Sequence, residues 1–187
     1  MFKIASSFIV AALAAAGLVI TNGPVRAQDV PPCDFITGGG FVLRTPSGPK
    51  ANFGAHGGCK HGEFWGHVNY VDHGGFMGKT PYHVDSIDIT AYLFVNATTR
   101  DICGSARTNA GEGEIVQFHV RMVDGDPGSP DRFGIRLSNE YVQSTSALGG
   151  GGPGGGNIEL HKPNPPASGV CTVDPPPDDV IIVPDAP

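Results

Sequence analysis

V-Q-F-H-V-R-M-V-D-G-D-P-G-S-P-D-R-F-G-I-R-L-S, Val116–Ser138, is the stretch whose reading decides the fold. Val116, Phe118, Val120 and Met122 alternate with Gln117, His119 and Arg121, which gives one apolar and one wet face. Phe133, Ile135 and Leu137 resume the alternation after Pro127-Gly128, where proline presets φ and glycine completes a turn. Period-two runs on both sides of a turn read as a β-hairpin.

The same period extends outward in both directions. Ile87, Ile89, Ala91 and Leu93 alternate with Asp88, Thr90 and Tyr92; Phe64, Val68 and Tyr70 share a face; Ile158 and Leu160 alternate with Glu159 and His161. Gly, Pro, Asn and Asp turn signals separate these runs, and no stretch after the N-terminus carries a helical period. The expected fold is all-β, a single sandwich or jelly-roll-like barrel of about eight short strands with very little helix.

Residues 1–27 read as a signal peptide. Lys3 precedes an apolar, Ala-rich run, Ile4 to Ile20, and Val25-Arg26-Ala27 supplies small residues at the cleavage positions. Cleavage near Ala27 leaves a short N-terminal tail (28–32), a β-domain (33–162) and a Pro-rich C-terminal tail (163–187) without a transmembrane anchor. The expected address is exported, periplasmic or secreted. The net charge is −6, and losing Lys3 and Arg26 makes the chain more acidic still, which argues against nucleic acid. Glycans or envelope proteins are the compatible partners. The four cysteines fit two disulfides in an exported chain. The pairing Cys59–Cys103 and Cys33–Cys171 is favoured, the second joining the ends of the domain.

Three clusters carry chemistry. Asp124, Asp126 and Asp131 surround the hairpin turn and are candidate calcium ligands, because calcium takes six to eight oxygens from closely spaced carboxylates and carbonyls. Asp-rich turns also form without metal. His56, His61, His67 and His73 lie close in sequence. His67 and His73 share a strand face and are candidate zinc or copper ligands, although six residues of strand, about 20 Å, separate them unless the chain turns back. Trp65, Tyr70 and Tyr82 are candidate sugar-stacking residues, with Trp65 expected on the face opposite Phe64, Val68 and Tyr70. Core packing is the competing role for such aromatics.

Nucleophile-elbow and metalloprotease motifs are absent. The Gly-rich run Leu148–Asn157 neither follows a βα unit nor opens a helix, so it is no phosphate loop. The expected role is non-enzymatic, structural or binding (adhesion-like). A carbohydrate-binding module is the alternative, and a polysaccharide-active hydrolase follows behind it.

Several stretches in fixed order carry a family resemblance: C-D-F-I-T-G-G-G-F (Cys33–Phe41), K-A-N-F-G (Lys50–Gly54), G-H-V-N-Y-V-D-H (Gly66–His73), C-G-S-A-R-T-N (Cys103–Asn109), D-G-D-P-G-S-P-D-R-F-G-I-R-L-S-N (Asp124–Asn139) and G-G-N-I-E-L-H-K (Gly155–Lys162). Together they resemble the post-choice-of-anchor type of domain of bacterial exported and surface proteins. The resemblance implies a β-rich extracellular domain and no established activity or ligand.

Overall fold

The computed structural model describes residues 33–43, 48–125, 129–148, 154–162 and 169–178. Nine strands and no helix lie among them: β1 (Phe35–Leu43), β2 (Lys50–Lys60), β3 (Glu63–Asp72), β4 (Tyr82–Asn96), β5 (Thr99–Thr108), β6 (Ile115–Val123), β7 (Asp131–Leu137), β8 (Val142–Leu148) and β9 (Gly154–His161). All pairings are antiparallel, in the order β8-β7-β6-β5-β4-β3-β2-β1-β9. The chain is therefore an up-and-down meander whose last strand returns beside its first, a nearly closed barrel. The expected all-β class holds, with nine strands rather than about eight. Residues 1–32 and Asp126 fall outside the described residues.

Side-chain alternation builds the interior. Val116, Phe118, Val120, Met122, Phe133, Ile135 and Leu137 all point inward and are buried, as the opening stretch dictates. The barrel is flattened into two facing walls. Phe53 of β2 stacks on Phe133 of β7, ring centroids 3.8 Å apart. Glycine permits this approach: a Cβ on Gly38 would lie 2.6 Å from Ile158 Cγ1 and 2.9 Å from Met122 Cε, closer than packed atoms stand. β4 joins the walls. Its pairing with β5 shifts register between Ser86 and Asp88, Ile89 and Ala91, and Phe94 and Asn96, bulges that bend the strand.

Two polar networks are sealed inside. Asp34 accepts hydrogen bonds from Tyr92 Oη (2.7 Å) and from Arg100 Nε (3.1 Å) and Nη2. Arg100 Nη1 donates to the carbonyls of Asn96 and Thr99, so all three nitrogens of a guanidinium only 1% exposed are hydrogen-bonded. Asp72 accepts from Tyr141 Oη (2.7 Å) and the Gly74 N–H (2.7 Å), and Tyr141 Oη meets Tyr70 Oη at 2.8 Å. Burial and the neighbouring carboxylates push the phenols of Tyr92 and Tyr141 far above the usual range, so both stay protonated donors.

The disulfides are Cys33–Cys59 and Cys103–Cys171, which corrects the expected pairing. Cys59 points into the core, whereas Cys103 lies on the outward face of β5, a strand not adjacent to β2, so the two cannot meet. β1 and β2 are neighbours with Phe35 opposite Gly58, and this register sets Cys33 beside Cys59. Two disulfides fit an oxidising compartment. No helix among the described residues is long and apolar enough to cross a membrane.

Residues 169–178 of the Pro-rich tail lie as a strap across the outside of β5, β6 and β7. Cys171 anchors it, the Val173 carbonyl meets His119 Nδ1 at 2.8 Å, and the Pro175 carbonyl accepts from Arg136 Nε at 3.2 Å. Pro176 is buried over Gly134, where a Cβ would lie 2.9 Å from its Cγ. Under the strap, Asp101 receives a bidentate bond from Arg121, 2.8 Å at both nitrogens. His119 Nε2 also lies 2.9 Å from Asp101 Oδ2, a close contact that is off the hydrogen-bond direction. Burial pushes Asp101 upward in pKa, but Arg121 and His119 outweigh it and hold the carboxyl below its usual range.

Candidate ligand-binding face

The outer face of β9, β1, β2, β3 and β4 is built by the residues that alternate with the core. On β3, Val68, Tyr70 and Asp72 are fully buried, so Trp65, His67 and Asn69 point outward. The pairing register aligns these outward residues into rows that cross the strands. One row runs His161–Phe35–Gly58–Trp65, the next Glu159–Thr37–His56–His67, and the third Asn157–Gly39–Gly54–Asn69–Asp85–Arg107.

The first row is an aromatic ridge. Phe35 stacks on His161 with centroids 4.4 Å apart and meets Trp65 at 5.7 Å. The second row is polar. Thr37 Oγ1 meets His161 Nε2 at 3.0 Å, and the facing rings of His56 and His67 stand 6.4 Å apart. Burial, and secondarily the neighbouring His67, push His56 below the usual imidazole pKa. The third row has a bare floor. Gly39 and Gly54 sit opposite one another, and a Cβ built on Gly54 meets nothing within 4 Å. Packing therefore does not require glycine there, and the backbone is open to close approach by a ligand.

The third row ends in an open groove of about 420 Å³ over β4 and β5, lined by His83, Asp85, Ser86, Ile87, Arg107, Thr108 and Asn109. The groove begins where β3 and β4 part. Their pairing covers Asn69–Asp72 with Tyr82–Asp85 and then stops. At that point Ser86 Oγ takes the Val68 N–H at 2.9 Å and meets His67 Nδ1 at 3.0 Å. Asp85 Oδ1 accepts from Asn69 Nδ2 at 2.6 Å and lies 3.8 Å from His67 Nε2.

No protein-family model, curated protein or solved structure matches the chain.

Of the sequence candidates, Trp65 lies on this face, half-buried in the aromatic ridge. Tyr70 and Tyr82 are corrected: both are fully buried, Tyr70 bonded to Tyr141 and Tyr82 accepting from Asn139 at 3.0 Å, so neither reaches a ligand. The pairing of His67 with His73 is also corrected. His67 faces His56 across β2 and β3, while His73, in the turn after β3, meets Asn52 Nδ2 at 3.0 Å. Asp124 and Asp131 serve β9. Leu160 N–H donates to Asp124 Oδ2 at 2.8 Å, Ile158 N–H to Asp131 Oδ2 at 2.6 Å, and Gly125 N–H to Asp131 Oδ1 at 2.9 Å. Their companion Asp126 lies outside the described residues. Among the described residues, the one convergent group of three or more His, Cys, Asp or Glu ligand atoms is Cys103, His119 and Cys171, two of them joined as a disulfide.

Phe35, Thr37, Gly39, Gly54 and Arg107 do not stand out as site residues in the sequence. The signal that finds them is the phase of each strand combined with its register, and register is a tertiary property.

Proposed function

We propose that the protein is an exported binding module of the bacterial envelope or exterior, and that its ligand is a glycan held on the outer face of β9–β1–β2–β3–β4. The observation that carries this reading is the open glycine floor at Gly39 and Gly54, set between an aromatic ridge and a polar groove. Sugars present apolar C–H faces to aromatic rings and hydroxyls to side chains such as Thr37, Asn69 and Asp85, so a ridge beside a polar trough suits them. Two disulfides and the resemblance to exported bacterial β-domains support the location.

Binding is favoured over hydrolysis. Paired-carboxylate hydrolysis takes two carboxyl groups roughly 5–10 Å apart, and Asp85 is the one carboxylate among the residues lining the groove. The test is affinity electrophoresis and a glycan array on the mature chain, with Trp65→Ala and Gly54→Arg as paired variants. Retardation by at least one polysaccharide, lost in both variants, supports the reading. Absence of binding to every glycan overturns it.

A further inference from the structure

The outward histidines have a use that sugar binding does not take up. His56 and His67 are directly opposite in the β2–β3 register, the position at which two side chains on one sheet face come closest. A tetrahedral ion bound about 2 Å from a nitrogen of each imidazole would hold the ring centroids about 5 Å apart, so the observed 6.4 Å has to close by roughly 1 Å. The carboxylate of Asp85, 3.8 Å from His67 Nε2, is placed to supply a third ligand atom.

The surroundings allow the ligating form of the His67 ring. Ser86 Oγ already accepts the Val68 N–H and has a second lone pair 3.0 Å from His67 Nδ1. With Nδ1–H donated to that oxygen, the Nε2 lone pair is left toward Asp85, as outer-shell partners orient metal-bound histidines generally. The His56 ring makes no hydrogen bond among the described residues.

We infer that His56 and His67, with Asp85, form a binding site for a borderline divalent transition ion such as copper(II) or zinc(II). Imidazole and carboxylate donors suit these ions over calcium or magnesium. The three ligand atoms do not converge without the ion, so closing the set takes rotation of exposed side chains, and binding is correspondingly of moderate strength. The inference shares Asp85 with the sugar-binding reading but does not rest on that reading.

The chain supplies its own reporter, because Trp65 is its only tryptophan and its ring lies 5.7 Å from that of His56. Copper(II) is titrated into the untagged mature protein with disulfides intact, and binding is read by calorimetry and by Trp65 fluorescence. One ion per chain with quenching is the expected result. His56→Gln and His67→Gln each weaken binding at least tenfold and abolish quenching, whereas His73→Gln leaves both unchanged. Melting curves confirm that the variants are folded. No binding, or binding that survives both His56→Gln and His67→Gln, overturns the site.

Discussion

Asp131, the first residue of β7, accepts the N–H of Ile158 in β9 through Oδ2 at 2.6 Å. Asp124 does the same for Leu160 at 2.8 Å. Ile158 and Leu160 lie in a strand that pairs with β1 on its other side, so two carboxylates stand where a neighbouring strand would otherwise supply carbonyls. They quiet the free edge of β9, which would otherwise offer unpaired donors to another chain.

Removing this acceptor has a measurable cost. Asp131→Ala leaves the N–H groups of Ile158 and Gly125 unpaired, and each such group is worth about 1–3 kcal/mol where water does not replace the partner. The variant's urea midpoint is expected to fall with an unchanged denaturant slope. Because backbone donors already hold these carboxylates, chelator leaves the wild-type melting temperature where it is. A fall on chelation would show that an ion braces the loop.

The alternation in Val116–Ser138 reveals the fold because period two is a local property that no tertiary contact has to supply. Pairing between distant elements was less legible. The disulfide partners depend on which strands are neighbours and on which face each cysteine occupies, and neither is written near Cys59 or Cys103. The role of the Asp124–Asp131 loop is hidden for the same reason: the N–H groups that two of its carboxylates accept belong to β9, more than twenty residues on. Trp65 was placed correctly because its face follows from strand phase alone. Tyr70 and Tyr82 have the inward phase, and aromatic character alone could not show that they are sealed.

The Asp34–Arg100 pair is buried on both sides, at 1% exposure each. Breaking such a pair strands one charge in the interior. Arg100→Met or Asp34→Asn alone is expected to destabilise by about 3–5 kcal/mol, while the double replacement costs less than the sum of the two. A double-mutant cycle by chemical denaturation measures the coupling. Additive losses would mean that the two charges act independently.

Asp101 sets an acid limit. Its folded pKa is depressed below the unfolded value of about 3.9, so the unfolded chain binds the proton more readily. Its contribution is therefore present above that pH and is lost as pH falls through the folded pKa. Stability of the wild type should decline on acidification below about pH 4. Asp101→Asn should be less stable at neutrality and show a flatter decline over that window. Parallel pH curves for the two proteins would remove Asp101 from the account.

The strap depends on Cys103–Cys171, which closes a long loop with a sequence separation of 68. Replacing both cysteines by serine is expected to cost about 2–5 kcal/mol. It should also free residues 169–178 to limited proteolysis, because the remaining ties, His119 to Val173 and Arg136 to Pro175, are single hydrogen bonds. Mass spectrometry of the digest detects the release. Unchanged protection would mean that Pro176 packing holds the strap unaided.

Two outward glycines of β2 separate the binding floor from ordinary packing. A Cβ on Gly54 meets nothing within 4 Å, whereas one on Gly58 would lie 2.6 Å from Phe35 Cβ and 2.8 Å from the Asp34 carbonyl oxygen. Glycine in a strand interior costs roughly 0.5–1 kcal/mol relative to alanine for entropic reasons alone. Gly54→Ala is therefore expected to leave stability unchanged or raise it slightly, while Gly58→Ala lowers it by forcing the β1–β2 pairing apart beside Cys33–Cys59. Gly54→Arg should fold as the wild type and lose the glycan, because it fills the one stretch of the trough where no side chain stands. Thermal melts separate the two positions, and affinity electrophoresis separates filling from unfolding. A Gly54→Arg protein that is folded and still retarded by the polysaccharide would move the binding surface elsewhere on the barrel.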